Sequence, residues 1–578
     1  MKEKAAILAF VVCVVSYPFF FKGSYPLGVG IIAGALAAGT VGFVLLLGYA
    51  EQLALGQAGF CMVGGYASAI LCVQHKWDPL AALIAGAALA MVVAYAIAAP
   101  ILKLRGFVLA MASLALQLIL VVLALESNFT GGALGTYGVP KFALFGLALP
   151  SDLAYYYVVW AFVLAFAAAG LAIDRSRIGR ALKALATSET AALSVGIDIT
   201  RYKVQMFVVS AGMASVCGSL AVHYLRAMDP HVFGFAFSLN FITSVIVGGL
   251  MSIWGGVIGA VFVTGVRELL RGLSLPLWES VIMGTLTVTV LIAFRRGVAG
   301  AISQLFDAFA KRGPVERVSV SEVDPSALRP LERTDVEKPL LEADEVSRSF
   351  GSLKAVSDVS LAVAGGSITA VIGPNGAGKT TLFNLIGGYQ PLDAGTIRLA
   401  GERVERLLPH RIARRGIART FQNLQLFDNM TVLDNVMCGH HRFVAKERVN
   451  RDRARAALAF VGLHGAEAMV PGELAFGHQR LVELARALAL DPRLLLMDEP
   501  ASGLNDSETE RLAELVLRIA ALGVTVLLVE HDMRIVMGLA DHVVVMHHGE
   551  KIADGTPDEV RSDDRVIAAY LGHEPAAA

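Results

Sequence analysis

Cysteine is scarce in this chain, net charge is zero, and over the first half charge of either sign is rare. Five cysteines occur in 578 residues. Cys13, Cys61, Cys72 and Cys217 lie inside apolar segments and Cys438 stands alone in the more polar half. With no CxxC or Cys/His ligand spacing, neither a disulfide framework nor a zinc site is supported. Basic and acidic residues balance at 49 each. Without a basic excess the chain lacks the electrostatic footprint of a nucleic-acid binder. Up to about Phe294 charges are few and sit mainly between apolar runs; from Arg295 onward they are frequent. Met1-Lys2-Glu3-Lys4 ahead of an apolar run imitates a signal peptide, but no small-residue cleavage site follows, so the run reads as an uncleaved first span.

What is abundant is apolar sequence. Hydrophobic residues make up 55% of the chain, too many for one soluble protein, and its length exceeds one domain. Runs of bilayer length lie at about 5–21, 28–49, 55–74, 80–102, 106–125, 153–173, 204–225 and 277–294. A longer run, about 237–270, is interrupted at Gly248-Gly249 and Gly255-Gly256. Lys2/Lys4, Lys103/Arg105, the cluster Arg175, Arg177, Arg180 and Lys183, and Arg295/Arg296 all favour the cytoplasmic side. Arg295/Arg296 come out inside only if 237–270 crosses an even number of times. The spacing therefore predicts a two-legged element there, about ten spans in all and both termini cytoplasmic; one long tilted helix over 237–270 is the alternative. Gln57, Gln117, Asn240 and Thr243 are polar groups inside apolar runs, where they serve function or bond helix to helix.

Between Asp174 and Lys203, on the cytoplasmic side of this topology, alanines and leucines fall on a helix that stops at Gly196. A short amphipathic helix between spans either lies solvated or buries its apolar face on a cytoplasmic partner, and the partner available is the C-terminal half. From about Gly297 to Pro339 apolar periodicity is lost while prolines and alternating charges appear, the composition of a linker.

The C-terminal half carries the chemistry. Gly373-Pro374-Asn375-Gly376-Ala377-Gly378-Lys379-Thr380-Thr381 follows an apolar strand and precedes an apolar helix. Its glycines let successive backbone N–H groups converge on phosphates at a helix N-terminus, where the dipole also favours anions. Lys379 reaches the β and γ phosphates in such a loop, and Thr380 holds Mg²⁺. In order there follow Thr420-Phe421-Gln422, Leu474-Ala475-Phe476-Gly477-His478-Gln479-Arg480 opening a helical run, the strand Leu494–Met497 ending in Asp498-Glu499-Pro500, Ser502-Gly503-Leu504-Asn505, and a strand ending in Glu530-His531-Asp532. Each strand delivers a polar residue at its C-terminal end, where open α/β sheets bind ligands.

In this order the residues resemble the ATP-binding cassette of ABC transporters, over essentially all of 340–571. The resemblance implies Phe350 stacked on adenine, with Gly373, Asn375, Gly376, Gly378, Lys379, Thr380 and Thr381 around the phosphates. It implies Asp498, Gln422 and Thr380 at Mg²⁺, Glu499 orienting the attacking water, and Gln422 and His531 sensing the γ-phosphate. Leu474, Ala475 and Gly477 form the signature that meets ATP from a second cassette. The chain departs from the usual Leu-Ser-Gly-Gly-Gln there: Ala475 lacks the hydroxyl that would bond a phosphate, and His478 replaces an amide by a titratable ring.

Leu-Ala-x-Gly-x-Gln-Arg, Glu-Pro-Ala-x-Gly-Leu-Asn and the ending Ala569-Tyr570-Leu571-Gly572 look like the ATP-binding subunit of branched-chain amino acid importers. Leu55–Phe60, Leu104–Phe107, Thr130–Gly132 and Ser176–Ala181 are similar to that system's permease. The resemblance places a coupling helix at Glu189, Ala191, Ala192 and Gly196. It implies an α-helical polytopic membrane domain of about ten spans, type I ABC importer-like, over 1–296, a cytoplasmic linker over 297–339 and an α/β P-loop ABC ATPase domain over 340–578. The expected function is ATP-driven import of branched-chain or hydrophobic amino acids across the bacterial inner membrane, with ATP and Mg²⁺ as cofactors and the ATPase in the cytoplasm. Expected partners are membrane lipid, a second permease and a second ATPase (or a second copy of this chain) and an extracytoplasmic solute-binding protein. Import of another small solute such as an amide, urea or an aromatic acid on the same scaffold is the alternative. An ABC exporter fits less well, since such chains carry six spans with long cytoplasmic helical extensions.

Overall fold

A computed structural model describes residues 2–104, 106–274, 278–293, 297–301, 319–320, 339–443 and 446–571. Arg105, Arg295, Arg296, Gly572 and most of the expected linker lie outside the described residues. The chain divides into two compact units: Met1–Leu182 with Thr200–Gly313, and Lys183–Ile199 with Pro314–Ala578.

The first unit is helical. Among the described residues six of its helices are long and apolar enough to cross a membrane: Ser24–Tyr49, Pro79–Ile101, Gly106–Glu126, Asp152–Asp174, Ile199–Leu225 and Ile253–Gly272. Four shorter apolar helices, Phe10–Phe20, Gln57–Val73, Phe235–Gly248 and Val281–Ile292, fill out the set. Ser24–Tyr49 is the innermost, 89% of its most apolar window being buried. Small residues make that possible. A side chain at Gly34 would press on Val159 and Trp160, one at Gly39 on Phe241 and Cys217, and one at Gly42 on Met213 and Ser210. Lipid offers no hydrophobic drive between helices, so close backbone approach through such positions is what holds them.

The long run at 237–270 is two helices, Phe235–Gly248 and Ile253–Gly272. The chain turns at Gly249, whose φ of 123° costs glycine little and excludes other residues, and Ser252 caps the second helix by accepting from the Gly255 N–H at 3.1 Å. Gly255 and Gly256, expected as a second interruption, are instead helical packing positions. Side chains there would collide with the Gly248 and Gly249 carbonyls and with Val44 and Thr40. Of the polar groups inside apolar runs, Gln117 is bonded helix to helix, donating to the Phe233 carbonyl at 2.9 Å and accepting from Ser238 at 2.6 Å. Gln57 is buried with neither amide atom hydrogen-bonded.

In the second unit a six-stranded sheet runs in the order Ile417–Arg419, Leu494–Asp498, Thr525–Val529, Ile368–Ile372, His542–His547, Glu550–Gly555. All neighbours are parallel except the last pair. The strands Leu494–Asp498, Thr525–Val529 and Ile368–Ile372 are buried at every residue, as continuous apolar runs in a doubly covered parallel sheet must be. A four-stranded antiparallel sheet, Glu402–Arg403, Ala394–Leu399, Leu341–Phe350 and Leu353–Val363, completes the unit's main strands. Ser319–Val320, inside the expected linker, pairs with Leu463–His464.

The segment expected as one helix up to Gly196 is two, Arg177–Thr187 and Glu189–Ser194. Ser188 divides them: its backbone leaves the helical region (φ −156°, ψ 110°) and its hydroxyl accepts from the Ala191 N–H at 3.2 Å. A serine able to cap a new helix competes with continuing the old one.

Candidate functional site

Parallel pairing fixes where the site lies. Asp498 stands opposite Val529, and Val529 opposite Val371, so the loops after three adjacent strands emerge at one edge. The first is the glycine loop. Gly373 and Gly378 have φ of 148° and 98°, and a side chain at either would strike the Met546 or the Ala355 carbonyl. The helix Lys379–Ile386 starts directly after Gly378 with no side-chain cap, leaving its first N–H groups for a ligand. Lys379 is buried and donates from Nζ to the Gly373 and Pro374 carbonyls at 2.8 and 3.0 Å. Burial pulls its pKa down, against the opposing pull of Glu499 and Asp498. Thr380 and Asn375 are exposed beside it.

The loops after the other two strands, with the loop after Ile417–Arg419, bring acids and an amide together. Gln422 donates from Nε2 to Glu499 Oε2 at 2.9 Å, and His531 Nδ1 lies 3.9 Å from the same oxygen. Glu499 takes a left-handed conformation (φ 46°) just after its strand, which swings its carboxylate off the ladder. Asp498 Oδ2 accepts from the Arg419 guanidinium at 3.1 Å. Its Oδ1 is buried without a hydrogen-bond partner. Burial pushes the Asp498 carboxyl up, opposed by Arg419 and Lys379 and helped by Glu499. Phe350 is 43% exposed, with the Arg348 guanidinium 5.0 Å from its ring centre, which leaves a ring face for a flat partner.

The signature residues sit apart from these. Ala475 is the exposed N-cap of the helix Phe476–Ala489 and makes no side-chain cap bond. Leu474 is buried, and a side chain at Gly477 would strike Glu508. Among the described residues no hydrogen bond or ion pair joins Leu474, Ala475 or Gly477 to the glycine loop of the same chain.

Within the same unit, residues 183–199 rest on cassette residues. Ser188 Oγ donates to Gln425 Oε1 at 2.8 Å, Tyr389 OH to the Thr190 carbonyl at 3.3 Å, Arg414 Nε to the Gly196 carbonyl at 3.1 Å and Asn429 Nδ2 to the Lys183 carbonyl at 2.9 Å. Ala191 and Ala192 are fully buried, and Gly196 has φ 82° beside Arg414.

Comparison with known proteins settles the family. Residues 25–291 match the model of the branched-chain amino acid transport system permease component, residues 356–502 that of the ABC transporter, and residues 550–576 that of the branched-chain amino acid ATP-binding cassette transporter. The chain is similar to the high-affinity branched-chain amino acid transport ATP-binding protein BraF of Pseudomonas aeruginosa, 42% identical over 98% of that protein and 41% of this chain. It is likewise similar to LivG of Escherichia coli, 39% identical over 98% of it and 41% of this chain, and to the probable LivG of Archaeoglobus fulgidus, 35% over 95% of it and 40% of this chain. The chain belongs to the branched-chain amino acid ABC transporters. Permease and ATPase are fused in this transporter, which makes it a membrane protein with a nucleotide-binding, ATP-hydrolysing domain.

Several residues that hold the transporter's site together, two of them (Arg480 and Glu530) inside the quoted motifs, have partners that the motifs do not reveal. Arg480, Glu483 and Arg486 form a buried ionic group on the signature helix. Arg480 donates to the Phe421 and Gln422 carbonyls at 2.6 and 3.1 Å, Glu483 accepts from the Phe421 N–H at 3.3 Å, and Arg486 donates to the Gln425 carbonyl at 2.6 Å. The loop bearing Gln422 is thus clamped by its backbone. Glu530, fully buried, accepts from the Ala501 and His531 N–H groups at 2.9 and 3.2 Å and fixes the turn that carries His531. Charged residues spaced three apart on a helix are a visible pattern, but which loop they grip is a tertiary fact.

Proposed function

We propose that the transporter imports branched-chain or other hydrophobic amino acids across the bacterial inner membrane, its ATPase in the cytoplasm, by alternating access. The observation that carries this reading is the hydrogen bond of Ser188, the N-cap of Glu189–Ser194, to Gln425, three positions beyond Gln422, which itself touches Glu499. A helix between two apolar helices that rests on the ATPase is what mechanical coupling needs. The names of the similar proteins supply the solute class. Glu499 is the group that orients and polarises the attacking water, Gln422 holds Glu499 in place, and His531 faces the γ-phosphate. Lys379 and the first N–H groups of its helix neutralise phosphate charge, since phosphoryl transfer is mostly positioning and charge stabilisation.

A divalent cation fits the donor set. Asp498 Oδ1 is an orphaned buried oxygen while Oδ2 is committed to Arg419, and Thr380 lies exposed in the first turn of the helix. Among the described residues no group of three or more His, Cys, Asp or Glu side chains can hold a metal, so these residues would hold Mg²⁺ together with phosphate oxygens. Bound there, Mg²⁺ would supply neutralisation of charge between the phosphates.

One chain offers one signature and one glycine loop, and among the described residues no hydrogen bond or ion pair joins them. The working unit is therefore a pair of cassettes, from a second copy or a related permease and ATPase, served by an extracytoplasmic solute-binding protein. Uptake of labelled leucine into vesicles holding the co-purified assembly and its binding protein tests the reading. Uptake that depends on ATP and is competed by isoleucine and valine is expected; uptake competed only by amides, urea or aromatic acids would move the solute class and keep the scaffold.

A further inference from the structure

A buried guanidinium joins the nucleotide edge to the short helix by a route the mechanism above does not use. Arg419, at the end of the strand Ile417–Arg419, is 7% exposed. It donates to Asp498 Oδ2 at 3.1 Å and to Asn384 Oδ1, on the glycine-loop helix, at 2.7 Å. The Tyr389 and Phe421 rings flank it, each centred 5.2 Å from its Cζ and standing edge to face at 81° to each other. Tyr389 is tethered to the same helix through its N–H, which donates to the Asn384 carbonyl at 2.8 Å. Its hydroxyl leaves the cluster and donates to the Thr190 carbonyl of Glu189–Ser194.

A buried ion pair is a poor device for stability, because desolvation offsets most of its attraction. Here one carboxylate oxygen is committed to the arginine while the other lies free, so charge arriving at Asp498 Oδ1 competes with Arg419 for the same carboxylate. Arginine suits the position: a planar fork bonds Asn384 and Asp498 while its delocalised charge lies near two ring centres, an arrangement the point charge of lysine does not reproduce. We propose that Arg419 is a positioning residue that ties the charge on Asp498 to the placement of Glu189–Ser194, acting through the ring and hydroxyl of Tyr389. The inference rests on the reading of that helix as the coupling element.

The test is hydrogen exchange over residues 188–197 in the assembly that co-purifies with the full chain in nanodiscs, in a Glu499→Gln background, with ATP plus Mg²⁺ against ATP plus EDTA. The expected result is a metal-dependent change in exchange of about fivefold or more, the usual scale of coupling between sites. Tyr389→Phe removes that change while ATP hydrolysis, measured with Glu499 intact, stays within about twofold of the parent. Arg419→Met removes it too, Arg419→Lys does not restore it, and the Arg419→Met/Tyr389→Phe double variant loses no more than either single one, as expected of two residues on one path. Tyr389→Phe isolates the hydroxyl without touching the buried charge, so it decides the matter even if Arg419→Met folds poorly. A parent that shows no metal-dependent change, a Tyr389→Phe variant that keeps it, or single losses that multiply in the double variant would overturn the proposal. Leucine uptake on the same assembly separates the two readings: an intact exchange response without uptake sinks the solute assignment alone, and intact uptake in Tyr389→Phe without the response sinks this inference alone.

Discussion

The two units use glycine for opposite ends. In the membrane unit Gly34, Gly39, Gly42, Gly248 and Gly259 have ordinary helical backbones and are needed only because a neighbour fills the space of a side chain. In the cassette Gly373, Gly376 and Gly378 have positive φ and shape the loop that runs into the uncapped helix Lys379–Ile386. The same residue type thus gives packing in one place and a binding surface in the other. A methyl group added in each unit should separate the two effects.

The largest effect is expected in the cassette. Gly378→Ala combines an unfavourable left-handed backbone with a collision against the Ala355 carbonyl, and it distorts the loop that presents Lys379. ATP binding should fall below detection by fluorescent-nucleotide titration, with the far-UV spectrum of the full chain unchanged. Glu499→Gln, which spares the loop, should bind ATP normally and hydrolyse it about 10²- to 10⁴-fold more slowly, the range attributable to a positioned base. Parent-like hydrolysis in that variant would remove Glu499 from its assigned role.

In the membrane unit the effect turns from function to stability. A side chain at Gly259 would collide with the Ser244 carbonyl across the two helices of 235–272. Gly259→Ala should therefore destabilise by about 1–3 kcal/mol, the usual cost of overpacking. Detergent thermal melts should show the loss while nucleotide titration stays normal. Equal loss of ATP binding would mean that glycine packing and the nucleotide site are not separable as described.

The contrast also marks what is legible in the sequence. Glycines in a loop between a strand and a helix announce a phosphate cradle by spacing, which is why Lys379 is readable, while Gln422, Asp498 and Glu499 are read from the order of the later motifs. Glycines inside apolar helices announce only a break or a contact, and Gly255-Gly256, which reads as the former, is the latter. The two-legged shape of 237–270 follows from charge placement, which constrains crossings more firmly than composition does. Arg419 is not readable, because an arginine in a strand looks solvated until the sheet order puts Asp498 beside it, and neither is the contact of Tyr389 with Thr190, which is tertiary. Ser188 belongs with these: serine before Glu189 fits a helix cap, but the alanine- and leucine-rich run masks it. Ser188→Ala removes both the cap on Ala191 and the bond to Gln425, at about 0.5–2 kcal/mol for the cap alone. Uptake should drop severalfold in vesicles while hydrolysis in detergent is unchanged; unchanged uptake would remove the Ser188 contact from the coupling route.

The smallest expected effect tests the comparison at its boundary, where, in the pair of cassettes proposed above, one cassette's helix N-terminus would meet the other's ATP. Ala475 caps the signature helix without a side-chain bond and is exposed, so the first N–H groups there are available and a hydroxyl is not. Ala475→Ser would add one hydrogen bond to a charged phosphate oxygen, worth about 1.5–3 kcal/mol if fully formed and less at an exposed edge. The serine would also cap its own helix, and a hydroxyl turned back to the N–H of residue 478 cannot serve the phosphate. These uses compete, so the apparent KM for ATP should fall by no more than about tenfold with kcat little changed. A serine that leaves KM unmoved while raising the melting temperature would show the hydroxyl engaged in the cap; a large rise in kcat would show that Ala475 limits turnover, and that backbone N–H groups alone are a poor substitute for the missing side chain.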